Sequence, residues 1–230
     1  MTLKTNFNIA KQAAGKAAAS LIENGMTVGL GTGSTAAYFI EELAKRCLEG
    51  LTIDCVTTSK KTKQIAEGFS LPLIDIELVK EIDITVDGAD EIDRRKFMIK
   101  GGGGALLREK IVARASREMI VIVDESKCVK MIGNLFPLPI EVFVFGYHWT
   151  LKHLEECGLS GELRTIKSDT PYTTDNGNYI VDISLKKGIE DPKALHHKLC
   201  EIPGVIETGL FFDLAGRVVI GKNTGEVDII

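Results

Sequence analysis

Apolar and polar positions fall into alternating blocks along the first 130 residues. Residues 9–24 (IAKQAAGKAAASLIEN) are Ala-rich and read as a helix that Gly25 is placed to end. Met26 to Gly31 (MTVGLG) reads as a buried strand, and Thr35 to Arg46 as a helix. Leu51 to Val56 is a second strand, followed by a polar helix from about Ser59. Leu73 to Ile76, Ile84 to Val86 and Met119 to Val123 are further short apolar runs, with a helix expected over Gly104 to Arg117. Strands alternating with helices predict βαβ units, hence an α/β fold with an open, mostly parallel sheet and helices on both faces (Rossmann-like).

After Phe136-Pro137-Leu138-Pro139 the texture changes. Glu141 to Phe145, Glu162 to Ile166, Tyr179 to Leu185 and Val205 to Phe211 read as strands, and Asp191 to Cys200 as a helix with Pro192 in its first turn. This order predicts a small α+β lid or oligomerisation subdomain over residues 135–211. The catalytic domain would then comprise 1–134 with 212–230, the run RVVIGK (217–222) returning to the main sheet as a strand.

Several apolar runs end in small or polar residues: VGLG into TGST, CV into TTS, ITV into DGAD, VIV into DESK. In an open parallel sheet such junctions gather at the carboxyl edge, where ligands bind. Gly29 to Thr35 (GLGTGST) suits a phosphate monoester, since glycines admit a close ligand and the next helix presents free N–H groups. It has no Gly-Lys pair at Walker A spacing and is no clean G-x-G-x-x-G, because Ser34 takes the place of the last glycine. Thr85 to Asp93 (TVDGADEID) packs Asp87, Asp90, Glu91 and Asp93 together, acceptors for a cation or for sugar hydroxyls. In Ile99 to Lys110 (IKGGGGALLREK), four glycines make sense where backbone must crowd a ligand. In the helix behind them, Leu107, Ile111, Val112 and Ala115 form the expected apolar stripe, with Glu109 on its flank beside Ala113 and Ser116. A partly desolvated carboxylate there suits a general base. Lys127 of DESK is placed to neutralise a phosphate.

Composition removes other classes. With 28 basic and 32 acidic residues the net charge is −4, not the footprint of a nucleic-acid binder. No apolar stretch approaches the length of a membrane span, and Met1 to Ile9 does not read as a secretion signal. The cysteines, Cys47, Cys55, Cys128, Cys157 and Cys200, contain no C-x-x-C pair and read as reduced thiols of a cytoplasmic protein. His148, His153, His196 and His197 lie away from the motifs, so neither His catalysis nor a metal site is expected.

Together these segments resemble the A-type ribose-5-phosphate isomerases. The resemblance rests on GTGST (31–35), VDGADEID (86–93), KGGGGALLREK (100–110), DESK (124–127), FPLP (136–139) and TDNGN (174–178), in that order, and covers the chain from about Lys11 to Gly225. It implies an aldose–ketose isomerase acting on D-ribose 5-phosphate through an enediolate, in the non-oxidative pentose phosphate pathway. It implies no metal or cofactor, and a homodimer or homotetramer. By the same resemblance Glu109 is the general base, while Asp87, Asp90 and Lys100 open the furanose ring and hold the enediolate. Thr32, Gly33, Ser34 and Thr35 surround the substrate, Lys127 and Lys11 lie near its phosphate, and Gly88, Ala89, Gly101, Gly102 and Gly103 line the binding loops. Three other readings stay open at this point. A nucleotide-dependent dehydrogenase would use Asp54 for ribose. A sugar-phosphate-sensing repressor would need a helix-turn-helix, for which the roughly 25 residues before the first strand are too few, and a CoA transferase, a remote reading, would need a glutamate nucleophile.

Overall fold

The computed structural model describes residues 2–185 and 187–230. The elements, in order, are α1 (Thr2–Ala19), β1 (Thr27–Leu30), α2 (Ser34–Leu48), β2 (Asp54–Thr57), α3 (Lys60–Gly68), β3 (Ile82–Asp87), β4 (Glu91–Ile92), β5 (Met98–Ile99), α4 (Leu106–Arg114) and β6 (Ser116–Asp124). There follow β7 (Leu138–Val142), α5 (Tyr147–Glu156), β8 (Gly161–Leu163), β9 (Tyr179–Ile183), α6 (Pro192–Cys200), β10 (Val205–Thr208), β11 (Leu210–Phe211), β12 (Ala215–Gly221) and β13 (Val227–Ile229). The chain divides into two compact units. The first is Met1–Ala89, Arg108–Cys128 and Leu214–Ile230; the second is Asp90–Leu107 and Val129–Asp213. The segment Asp90–Leu107 thus groups with the second unit, where the sequence pattern placed it in the first, and the later boundaries fall at 128/129 and 213/214 rather than 134/135 and 211/212.

The first unit is a sheet of order β13-β12-β6-β3-β1-β2, parallel except for the edge strand β13. This is the expected doubly wound α/β architecture. One face (Val28, Leu30, Ile84, Val86, Ile120, Ile122) packs with Ala14, Ala18, Phe39, Ile40 and Leu43 of α1 and α2. The alanine run of α1 serves close approach, since a Cβ on Gly15 would stand 2.7 Å from the backbone nitrogen of Phe39. Helix α1 ends at Ala19, five residues before the expected stop, and a turn carries the chain to Gly25 (φ +83°). The opposite face belongs to α4. Val112 clusters with Val56 and Ile82, and a Cβ on Gly29 would stand 2.9 Å from its Cγ1 and 2.0 Å from Thr85 Oγ1.

Helix α4 stops at Arg114, short of the expected Arg117. Ser116 already pairs with Ile82 as the first residue of β6, and its hydroxyl donates to the Val112 carbonyl. Strand pairing with a buried neighbour outweighs the helical preference of Arg117 and Glu118. As expected, the run RVVIGK enters the main sheet: its residues 217–221 lie in β12, beside β6.

The second unit holds a four-stranded sheet of order β10-β7-β9-β8 and a smaller one of order β11-β5-β4, with antiparallel pairings, plus α5 and α6. Its core is Leu138, Ile140, Val142, Leu154, Val181, Ile183 and Leu199. Strand β7 covers 138–142 rather than Glu141 to Phe145 and runs through Pro139, whose carbonyl accepts from Gly209 N–H at 2.7 Å. The expected strand over Val205 to Phe211 splits at Gly209 into β10 and β11, which join different sheets. A Cβ on Gly209 would lie 2.4 Å from the Lys100 carbonyl, so only glycine fits that corner.

Candidate active site

In the first unit the parallel strands deliver their polar ends to one edge. The register aligns Leu30 with Val86 and with Thr57. Beyond them stand the loop after β1, the hydroxyl-rich loop after β2, and Asp87 at the end of β3. Asp87 is fully buried. Its Oδ1 accepts from Thr32 N–H at 3.0 Å and from Gly88 N–H at 2.7 Å. Gly31 passes so near that a Cβ there would lie 2.2 Å from Asp87 Oδ1. That glycine is therefore a requirement of close approach rather than of backbone angle.

The Thr32 hydroxyl lies 2.9 Å from Thr58 Oγ1, 2.8 Å from Ser59 Oγ and 3.1 Å from Thr62 Oγ1. Thr62 Oγ1 in turn donates to the Gly31 carbonyl, and Thr58 Oγ1 to that of Leu30. This network fixes the path of the loop. The sequence showed TTS only as one polar junction among four, because hydroxyl pairing across 26 residues leaves no local pattern.

Helix α2 begins at Ser34 behind Gly33 (φ +114°), and no side chain caps it. Its first N–H groups and positive dipole end therefore remain available to an anion. Gly33 and Ser34 are exposed and Thr35 is buried. Lys11 of α1 reaches the same point, its Nζ donating to Ser34 Oγ at 3.0 Å. A cavity of about 140 Å³ opens here, lined by Gly31, Thr32, Gly33 and Ser34, with Lys61 on its wall. Lys127 closes a short turn after β6. That turn is capped by buried Asp124, whose carboxylate accepts from Ser126 N–H at 3.0 Å.

Glu109 is 4% exposed. The buried positions of α4 are Leu106, Glu109, Val112 and Ala113, while Ile111 is half exposed and Ala115 is exposed. The carboxylate thus sits within the buried face, not on the flank of the expected stripe of Leu107, Ile111, Val112 and Ala115, of which only Val112 is buried. Val112 marks the sheet-facing side near Gly29, and Glu109 lies one turn earlier on that side. In a βαβ crossover the helix starts at the carboxyl edge of the sheet. Thr85 and Asp87 alternate onto the same sheet face. Glu109 and Asp87 are therefore two buried carboxylates on one face at one edge.

The four carboxylates of VDGADEID do not form a repelling cluster. In the second unit, Asp90 N–H donates to the Ile99 carbonyl at 2.8 Å, and its Oδ2 accepts from Gly102 N–H at 2.8 Å. Glu91 is buried and accepts from the backbone N–H groups of Gly133, Leu135 and Phe136, which anchors FPLP. Asp93 accepts from Arg95 and Phe97 N–H in the turn joining β4 to β5. Glu91 and Asp93 are structural.

Lys100 is 2% exposed, its Nζ 5.4 Å above the Phe211 ring centre and its N–H bonded to the Gly209 carbonyl. The glycines that follow are clamped. Arg164 donates to the Gly101 and Gly102 carbonyls at 2.9 and 3.2 Å while forking onto Asp182, and Tyr172 donates to the Gly103 carbonyl at 3.1 Å. Gly101 and Gly104 have φ of +104° and +76°. The TDNGN segment proves to be scaffold: Thr174, Asn176 and Asn178 all donate to Oε1 of buried Glu141. Sequence reasoning did not single out Arg164, Tyr172 or Glu141, since the glycine loop and the TDNGN turn they hold lie at least 33 positions away from them.

The family model for ribose 5-phosphate isomerase A (phosphoriboisomerase A) matches residues 54–225. The chain is 48% identical over 221 residues to a ribose-5-phosphate isomerase A of Protochlamydia amoebophila, covering 96% of this chain and 95% of that one. It is 48% identical over 220 residues to the same-named protein of Listeria innocua, covering 96% and 97%. A solved ribose 5-phosphate isomerase A from Methanocaldococcus jannaschii superposes with TM-score 0.90 at 39% identity, over 96% of this chain and 97% of that one. A D-ribose-5-phosphate isomerase in complex with phospho-erythronic acid gives TM-score 0.91 at 40% identity, over the same shares. With these identities spanning nearly its whole length, the chain belongs to the ribose 5-phosphate isomerase A family.

Proposed function

We propose that this protein interconverts D-ribose 5-phosphate and D-ribulose 5-phosphate in the pentose phosphate pathway, through an enediolate, with Glu109 as the base. What carries the reading is that Glu109 and Asp87 are both buried carboxylates, which strand alternation and crossover geometry put on one sheet face at its carboxyl edge. Aldose–ketose isomerisation needs one base able to serve two adjacent carbons, and donors that hold the oxyanion between the two transfers. Glu109 takes the C2 proton of the open-chain aldose and returns it to C1. Asp87, held by the Thr32 and Gly88 N–H groups, works with Asp90 in opening the ring. Lys100 offsets the charge of the enediolate. The open N-terminus of α2, with Thr32, Gly33, Ser34, Thr35 and Lys11, receives the sugar phosphate together with Lys127. Gly88, Ala89, Gly101, Gly102 and Gly103 let backbone approach the ligand.

The phospho-erythronic acid bound to the 40%-identical isomerase joins a planar carboxylate to a phosphate, the charge pattern of an enediolate phosphate. All proton-transfer groups come from the chain, so the reaction needs no metal or cofactor. The enzyme works in the cytoplasm, which agrees with its five free cysteines, and as a homodimer or homotetramer. Exposed Phe143, Phe145 and Trp149 in the second unit suit contact with another copy. No described helix is long and apolar enough to cross a membrane.

The test is incubation of the purified protein with ribose 5-phosphate, following ketose formation with and without EDTA. Equal rates support the reading. No ketose, or activity lost on chelation and restored by Mg²⁺, contradicts it.

A further inference from the structure

We propose that His196, Cys200 and Glu207 form a binding site for a borderline-soft divalent cation of the Zn²⁺ class. His196 and Cys200 are one turn apart on α6, so their side chains share a face. Glu207 comes from β10, which packs against that helix. One ligand atom from each residue lies within 4.8 Å of the others. His196 Nε2 is 3.7 Å from Cys200 Sγ. That distance is close to the N···S edge, about 3.5 Å, of a tetrahedron around an ion with bonds of about 2.0–2.3 Å.

The donors are also held in place. Glu207 Oε1 accepts from Thr208 N–H at 2.7 Å. The His196 ring packs edge-on against Phe212 at 5.3 Å, and its Nδ1 meets Thr208 Oγ1 at 2.8 Å. Such contacts orient ligands ahead of the ion. An imidazole, a thiolate and a carboxylate select Zn²⁺ or Co²⁺ over Mg²⁺ and Ca²⁺, which prefer oxygen alone. Cys200 is exposed, leaving the fourth position to water. Sequence spacing did not reveal the site because Glu207 reaches it from a strand beyond the helix, not from a short ligand motif.

Zinc would tie α6 to β10 and stabilise the second unit by mass action. The full chain, stripped with EDTA, is titrated with Co²⁺ alone and with Zn²⁺ alone. Expected are a thiolate-to-cobalt charge-transfer absorption, Zn²⁺ binding by calorimetry, and a Tm that rises with Zn²⁺. Cys200→Ser should abolish the absorption, and both it and His196→Gln should weaken Zn²⁺ binding by at least about tenfold. Cys128→Ser, at the other exposed cysteine, should change nothing. Absorption that survives Cys200→Ser or disappears in Cys128→Ser, or Zn²⁺ affinity unchanged in His196→Gln, would overturn the proposal.

Discussion

The backbone N–H of Thr32 donates to Asp87 Oδ1 at 3.0 Å. This bond ties the loop after β1 to the buried carboxylate ending β3, across 55 residues of sequence. Loop position and carboxylate orientation are therefore one structural unit, and a disturbance of either reaches both.

Gly31→Ala tests that unit. The added methyl would fall 2.2 Å from Asp87 Oδ1 and 2.5 Å from its Cα, so strand or side chain must move. Overpacking of this kind typically costs about 1–3 kcal/mol. We expect a lower Tm together with a fall in kcat larger than any rise in KM. A variant with wild-type kcat and Tm would show that the close approach does not matter.

Thr35→Ala and Lys127→Ala should raise KM more than they lower kcat. Both residues are assigned to phosphate and hydroxyl contacts shared by ground and transition states. Steady-state kinetics with ribose 5-phosphate decide this. A large fall in kcat at constant KM would remove either residue from that role.

Burial pushes the Cys55 thiol up to about 12, and the nearby Cys47 and Asp54 add to the shift. The unfolded chain ionises this thiol at lower pH than the folded one. Stability is therefore intact below the ordinary thiol range near pH 9 and falls as pH rises towards 12, by about 1.4 kcal/mol per unit. Denaturant titrations across that range should show this slope, and Cys55→Ala should flatten it. An equal slope in the variant would assign the loss to other groups.

The parallel sheet was legible because its buried strands end abruptly in polar junctions, which marks both the strand and the edge where ligands gather. Glu109 was legible as a residue but not as a burial. Leu107, Ile111, Val112 and Ala115 satisfy helical periodicity, whereas the packed face runs through Leu106, Glu109, Val112 and Ala113 and shares only Val112 with them. A carboxylate at a buried position breaks the apolar pattern on which the periodicity depends. Helix α5 was missed because it begins with YHW after a left-handed Gly146 (φ +71°) and buries only Thr150 and Leu154. Gly209 cut one apolar run into two strands through a backbone approach that no local signal carries.

Glu109→Gln tests the central claim most directly. The substitution keeps size and hydrogen-bonding capacity and removes the proton acceptor. kcat, deuterium uptake at C2 from solvent, and calorimetric affinity for ribose 5-phosphate are measured on one preparation. We expect kcat to fall by at least ~10²–10⁴-fold, deuterium exchange to vanish with it, and binding to survive on the α2 loop and Lys127. A variant that keeps more than about a tenth of wild-type kcat, a loss smaller than base catalysis allows, would contradict Glu109 as the base and make Asp87 the next carboxylate to test.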